Sequence, residues 1–332
     1  MEELARLQSA VPPLLEWFRV HRRVLPWREN RNLYTALVAE LMLQQTRVEA
    51  VKERFVQFIA RFPTPEDLAE ASEDEVLKMW EGLGYYTRAR NLHRAAKELV
   101  SKGIPRTWAG VKALPGVGEY TAGAISSIAL GLKEPAVDGN VLRILTRLLA
   151  DDSNIDDAAT KKRFMELLRA VYPPETADFC EGLMELGALV CVPNGPPMCG
   201  ACPWEGLCKA HLQAKETAFP VRSEKRARKV VNATVCVLER EGKFALEKRQ
   251  EKGLLAGLWQ FPFFEGEVPD FGEIIETKQA KHVFTHVEWH MTGHLINARE
   301  HFAHYTWATA EEIRESYALP SAFKAFLPWI DK

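Results

Sequence analysis

No stretch of this chain stays apolar for anything near the roughly 18 residues that a membrane-crossing helix needs. Its opening, MEELARLQSAVPPLLEW, is acidic before it is apolar, the reverse of a secretory leader. Neither secretion nor membrane insertion is therefore expected. Net charge is scarce as well: 43 Lys and Arg against 45 Asp and Glu leave −2. No global field draws the chain to a polyanion, so any nucleic-acid contact must rest on local fields. The sequence shows no internal repeat and no low-complexity segment. Cysteines number only 6, and four of them crowd into residues 191–208, leaving Cys180 and Cys236 apart. A disulfide framework would spread them, and a chain of 332 residues needs no staples. A reducing cytoplasm and a metal site fit better.

What is present is ordinary for a globular protein: 47% hydrophobic and 27% charged residues over a length that suggests two domains. Residues 1 to about 215 read as successive helices. In ELMLQQTRVEAVKERFVQFIARF, residues 40–62, apolar positions recur at helical spacing, and FPTPEDL starts a new helix with Thr64 as N-cap and Pro65 at the first helical position. The texture changes at TAFPVRSEKRARKVV, a charged stretch of linker type. Beyond it VVNATVCVLEREGKFALEKR alternates on either side of an REGK turn, as a β-hairpin does. HVEWHMTGHLI reads as a further strand and AEEIRESY as a short helix. The expectation is an all-α domain, residues 1–216, a linker, 217–229, and a smaller α+β domain, 230–332.

The four clustered cysteines, Cys191, Cys199, Cys202 and Cys208, are separated by seven, two and five residues. Four thiolates this close can surround one small centre. Structural zinc usually takes two C-x2-C pairs; a single pair with outer ligands standing apart suits a [4Fe-4S] cluster. Four thiolate ligands leave no open position, so support of the fold is its expected role.

LPGVGEYTAGAI places Gly116 and Gly118 between two helical stretches. Glycines permit the tight reversal, and the second helix starts with N–H groups free to meet a phosphate. The same hairpin could serve simple helix packing. In AVDGNVLRIL, Asp138 precedes a helix and could be only its N-cap. Glu40, read as lying in the first turn of an apolar helix, could be only a dipole-friendly acid.

Taken in order, LPWR, ELMLQQTRVE, WEGLGYYTRARNL, LPGVGEYTAGAI, AVDGNVLR and the cysteine cluster closely resemble the helix-hairpin-helix DNA glycosylases, and among them the adenine DNA glycosylases. The resemblance covers nearly the whole chain. It implies a six-helix barrel joined to an iron-sulfur subdomain, with the active site between them, and removal of adenine mispaired with 8-oxoguanine or guanine in double-stranded DNA. Cleaving an N-glycosidic bond needs an acid to neutralise the leaving base and an anion to face the oxocarbenium-like sugar. By resemblance Glu40 is the acid, acting at adenine N7, and Asp138 the anion at C1′, with Tyr120 and Asn140 completing the set. That division requires an apolar setting to keep Glu40 protonated. Tyr120 stands where the strand-cutting endonuclease III branch carries a Schiff-base lysine, so a monofunctional enzyme is expected.

The resemblance also gives Trp27, Arg28, Leu43 and Glu181 to the adenine pocket, Gln45 and Tyr85 to insertion into the duplex, and Thr46 to the neighbourhood of 8-oxoguanine. The first cysteine spacing is one residue longer than in the best-known relatives, a difference its prolines can absorb. Residues 230–332 resemble the Nudix-like C-terminal domain of these enzymes. GLWQFPFFEGEVPDFGEIIETKQA lacks the glutamate-rich box that holds Mg²⁺ in true Nudix hydrolases, so recognition without hydrolysis is expected. Phe284, Thr285 and His286 match the family's Phe-Ser-His loop, with threonine replacing serine. His282, His286, His290 and His294 recur every four residues; on a strand, His286, His290 and His294 share a polar face with Glu288 and Thr292, opposite Val287, Trp289, Met291 and Leu295. A monomer acting in the cytoplasm is the expectation. Rival readings are a bifunctional endonuclease III-like lyase, a non-catalytic iron-sulfur DNA-binding protein and a nucleotide pyrophosphohydrolase.

Overall fold

The computed structural model describes residues 2–224, 227–250 and 253–331. The chain forms two compact units, Met1–Ala69 with Asn91–Glu224, and Glu70–Arg90 with Lys225–Lys332. Of the expected linker, Lys225 and Arg226 lie outside the described residues.

Helices α1 (Glu2–His21), α2 (Leu33–Leu43), α3 (Val48–Arg61) and α4 (Pro65–Glu70) open the chain, followed by α5 (Glu73–Met79) and α6 (Thr87–Lys102). The hairpin joins α7 (Trp108–Lys112) to α8 (Glu119–Ala129), and α9 (Gly139–Leu149), α10 (Ala158–Val171), α11 (Thr176–Leu189) and α12 (Lys209–Leu212) complete the helical part. Thr64 Oγ1 accepts from Asp67 N at 3.2 Å, the expected cap of α4. A reciprocal capping box starts α2: Asn32 accepts from Thr35 N at 2.9 Å, and its own N–H donates to Thr35 Oγ1 at 3.2 Å.

The apolar period over 40–62 reads as one helix, but it belongs to two. Helix α2 ends at Leu43, and Gln45 takes a left-handed φ of 57°, a conformation no helix interior tolerates. Hydrophobic spacing survives across a short reversal, so the pattern alone did not reveal the break. Glu40 consequently sits in the last turn of α2, not the first. There the negative end of the helix dipole opposes its ionisation, the reverse of the first-turn effect.

The core of the first unit joins Leu14 and Phe18 of α1 to Leu142, Leu145 and Leu148 of α9, Phe164 of α10, and Phe179 and Leu186 of α11. Trp204, inside the cysteine loop, completes it and donates from its indole to Ala10 O at 2.8 Å. The loop is thereby rooted in the hydrophobic core.

In the second unit, strands β1 (Lys229–Arg240), β2 (Lys243–Lys248), β3 (Trp259–Gln260), β4 (Phe263–Phe264), β5 (Gly272–Val283), β6 (Val287–Ala298) and β7 (Thr306–Thr309) build one mixed sheet in the order β3-β2-β1-β6-β5, with β4 on β1 and β7 on β2. The β1–β6 pair is parallel and the others antiparallel. Glu241 and Gly242 both take positive φ in the β1–β2 turn, which suits the twist of a tight hairpin. The segment 257–280, where a Nudix box would form an acidic helix, gives β3, β4 and most of β5. Helix α13 (Ala310–Ser316) follows β7 and packs on α5. Arg90 Nη1 donates to Ala256 O at 2.7 Å and Leu319 N to Glu81 Oε1 at 3.2 Å, so residues 70–90 join a sheet far away in sequence.

Candidate active site

A cavity of about 610 Å³ in the first unit is walled by α2, α8, α9, α11 and the segment before α2. That volume suits a ligand of the size of a nucleobase with its sugar. Glu40, Asp138, Tyr120, Asn140, Trp27, Arg28, Leu43, Gln45, Thr46 and Glu181 all line it. The segments that carry them span more than 150 residues of sequence.

Glu40 is 7% exposed, and no ion pair among the described residues involves it. Burial first, then the charges of Glu181 and Asp138, raise its carboxyl from 4.5 to about 8. An acid still protonated at neutral pH is the result. Leu41, beside it in sequence, is fully buried in the core, whereas Leu43 faces the cavity.

Asp138 caps α9, accepting from Asn140 N at 2.9 Å and Val141 N at 2.8 Å. Asn140 Nδ2 donates to its second oxygen at 2.8 Å, and Arg143 Nη1 in turn donates to Asn140 Oδ1 at 3.0 Å. The cap is real, and it also serves the cavity: three donors fix a carboxylate whose role is to accept. Tyr120, the second residue of α8, donates to Met184 Sδ at 3.7 Å, and burial raises its phenol well above the ordinary value.

On the opposite wall, Arg28 pairs with Glu181 at 3.4 Å and with Glu185 at 3.2 Å, and Arg31 pairs with Glu181 at 2.5 Å. Burial would raise Glu185, but hydrogen bonds from Arg23 and Arg28 outweigh it and hold the carboxyl at about 2. Burial raises Glu181 despite the opposing charges of Arg28 and Arg31. Trp27 stands edge-on to Phe55 with centroids 5.5 Å apart. Arg23, Met184 and Glu185, which no sequence motif singles out, also line this cavity. Glu185 lies four residues after Glu181 on α11, one turn further on the same face, and that spacing was the available signal.

The hairpin turn explains its glycines. Gly116 has φ +79°, and a Cβ there would lie 2.6 Å from Asn91 Cβ. Gly118 caps α8, and a Cβ on it would meet nothing within 4 Å, so its backbone is open to close approach.

No disulfide joins the four clustered cysteines, which line one small cavity with Arg147, Trp204, His211 and Glu216. Burial, and then the repulsion of Cys191, Cys208 and Cys199 against a hydrogen bond from Trp204 N–H, pushes the Cys202 thiol up to about 12. Four thiolates in this space require a cation among them. Arg147 Nη1 donates to Cys191 Sγ at 3.2 Å and Trp204 N to Cys202 Sγ at 3.4 Å, contacts that suit sulfurs carrying negative charge. The donor set therefore fits a thiolate-bound metal centre. Cys199 also forms a close three-donor group with His211 and Glu216.

Tyr85, Phe284, Thr285 and His286 are brought together in the second unit, where they line a groove of about 440 Å³. Tyr85 is 50% exposed with φ +47°, and its hydroxyl lies 2.6 Å from Thr285 Oγ1 across 200 residues of sequence. Gln45 and Tyr85 are two of the six described non-glycine residues with positive φ. Such strain concentrates at functional positions. His290 Nε2 bonds Glu288 Oε1 at 2.7 Å and His294 Nδ1 bonds Thr277 Oγ1 at 2.8 Å, while Trp289 and Met291 fill the core on the other face.

Residues 38–170 match the HhH-GPD superfamily base excision DNA repair protein family, and residues 233–329 match the NUDIX domain family. The chain is 39% identical over 292 residues to the adenine DNA glycosylase of Arabidopsis thaliana, covering 75% of this chain and 46% of that protein. It is 31% identical over 300 residues to the adenine DNA glycosylase of Buchnera aphidicola subsp. Schizaphis graminum, covering 86% of each. It spans about half the length of the plant, rat and human proteins it matches. Among solved structures, a thermostable thymine-DNA glycosylase superposes with a TM-score of 0.57 at 28% identity, covering 64% of this chain and 98% of that one. The chain belongs to the adenine DNA glycosylase family, in the helix-hairpin-helix superfamily of base excision repair proteins.

Proposed function

We propose that this chain is a monofunctional adenine DNA glycosylase that excises adenine paired with 8-oxoguanine or guanine in duplex DNA. The observation that carries the reading is a protonated, buried Glu40 and a hydrogen-bonded Asp138 on the walls of one cavity of nucleoside size. With adenine extruded into that cavity, Glu40 gives its proton to N7. The N-glycosidic electron pair leaves with a neutral base, and positive charge develops on the sugar. Asp138, held by Asn140 and the start of α9, faces C1′ and stabilises that charge, forming a transient bond from which water completes hydrolysis. Trp27, Arg28, Leu43 and Glu181 shape the pocket around the base. Tyr120, in place of a Schiff-base lysine, limits the reaction to base removal.

Gln45 and Tyr85 are assigned to the space the base vacates and Thr46 to the 8-oxoguanine side, with Gly116 and Gly118 presenting hairpin N–H groups to the backbone. Catalysis belongs to residues 1–216 and lesion recognition to 230–332, through Phe284, Thr285 and His286. Cys191, Cys199, Cys202 and Cys208 would hold a [4Fe-4S] cluster, which when bound supplies cross-linking of the loop from the end of α11 to the start of α12 and no step of the reaction. The enzyme acts as a monomer in the cytoplasm.

A single-turnover assay on 8-oxoguanine:adenine and guanine:adenine duplexes tests the activity, and a visible spectrum of the same preparation tests the cluster. Adenine release with an intact second strand, together with broad sulfur-to-iron absorption, is expected. Strand cleavage, absence of adenine release, or a colourless zinc-loaded protein each removes the corresponding part of the proposal.

A further inference from the structure

The cavity holding Glu40 shares a wall with a second cavity of about 480 Å³, since Gln45, Asp138 and Asn140 line both. Lys161, Arg222 and Asp156 also line the second cavity. Arg222 falls within the stretch whose composition suggested a linker, yet residues 219–223 run bound along the first unit. Arg147 Nε donates to Phe219 O at 3.1 Å, Ile155 N to Val221 O at 3.1 Å, Ser223 N to Asp156 Oδ2 at 3.0 Å, and Asn154 Nδ2 to Ser223 Oγ at 2.8 Å.

This strapping sets Arg222 over Gly139, with Nη2 3.0 Å from where a Cβ at 139 would be. A side chain at 139 would push the guanidinium away. Lys161 projects from the first turn of α10, and like Arg222 it is exposed and in no ion pair among the described residues. Arg143 adds a third positive charge but is engaged with Asn140 Oδ1 and the carbonyls of Gly187 and Cys191. Asp156 already accepts from Ser223. Two uncommitted cations thus line a cavity that Asp138 lines as well.

We propose that this second cavity binds a backbone phosphate of the DNA strand carrying the target nucleotide, with Arg222 and Lys161 as its cations. The inference rests on the glycosylase reading. With the base in the first cavity and the sugar beside Asp138, the strand has to pass the shared wall, and the diester next to that sugar arrives among these cations. Their charge also answers a difficulty in the chemistry: Asp138 approaches a sugar flanked by anionic phosphates, and Arg222 and Lys161 offset that repulsion while fixing the sugar as the base is withdrawn.

The test uses the full chain and a duplex bearing a tetrahydrofuran abasic analogue, which cannot be turned over, with affinity followed by fluorescence anisotropy across a salt series. Arg222→Ala and Lys161→Ala are each expected to weaken binding about tenfold at low salt and to lower the log K against log salt slope by about 0.9. Arg222→Lys keeps the slope because it keeps the point charge. A methylphosphonate at the diester flanking the analogue should cost the wild type about as much as Arg222→Ala does, and the two changes together should cost no more than either alone. An unchanged slope in both alanine variants, or full additivity with methylphosphonates on either flank, overturns the proposal. A wild type that prefers the analogue while Arg222→Ala behaves identically defeats this inference alone. A wild type that binds the analogue no better than plain duplex defeats the glycosylase reading and this inference with it.

Discussion

Replacing Glu40 by glutamine separates the proton from the shape of the side chain. In the native protein burial, then Glu181 and Asp138, raise this carboxyl from 4.5 to about 8. At ~1.4 kcal/mol for each tenfold change in acidity, that displacement corresponds to roughly 5 kcal/mol of preference for the neutral form. The sign follows from proton counts. Between pH 4.5 and about 8 the folded chain keeps a proton that the unfolded chain has released, so its stabilising effect is complete below 4.5 and is lost as pH rises through 8. Glutamine never ionises, so Glu40→Gln should be closer in stability to the wild type at pH 5 and more stable than it at pH 9. An amide left without a partner would reduce the gain at pH 9 by roughly 1–3 kcal/mol. Denaturant titrations at the two pH values measure this difference.

Catalysis should show the same group from the other side. Across the neutral range up to about pH 8 single-turnover adenine release by the wild type should be level, and above it should fall about tenfold per pH unit, because only the protonated acid can deliver to N7. Glu40→Gln should abolish release while leaving mismatch affinity within about an order of magnitude, since a proton donor is lost and not a DNA contact. A rate that stays level to pH 9.5, or substantial release by the glutamine variant, would refute the assignment.

Asp138→Asn preserves the α9 cap acceptor but removes the charge, so it should abolish excision while shifting stability by less than about 1 kcal/mol; Asp138→Ala should also lose the cap, at about 1 kcal/mol more in denaturant midpoint analysis. Changes at Thr285 or His286 should reduce discrimination between 8-oxoguanine:adenine and guanine:adenine more than turnover itself, and equal losses on both duplexes would show that the loop does not read the lesion. Gly116→Ala forces a Cβ to within 2.6 Å of Asn91 at φ +79° and should cost roughly 1–3 kcal/mol in thermal unfolding. Gly118→Ala meets no neighbour, so it should leave Tm unchanged and weaken duplex binding, measured by anisotropy.

Local chemistry was legible in the residues themselves. Thr64 and Pro65 mark a helix start because their side chains act within one turn, the REGK turn reverses a hairpin because its backbone demands are confined to two residues, and four close cysteines point to a common centre because short loops keep them together. The glycines of LPGVGEYTAG and the order of the motifs identified the family. Even so, periodicity misplaced Glu40 in its helix, since a left-handed Gln45 leaves hydrophobic spacing intact on both sides. Composition likewise took 219–223 for free linker, although hydrogen bonds that leave no trace in composition bind it along the first unit.

The sequence by itself determined which residue types were available and where each helix, strand and turn could begin. Only the tertiary structure decided what surrounds Glu40, because the energy of a buried carboxyl depends on solvent exclusion and on charges brought near from α9 and α11. The same holds for the bond between Tyr85 and Thr285 and for the cations that share a cavity with Asp138. Each joins atoms remote along the chain, and electrostatic and hydrogen-bond energies depend on distance in space.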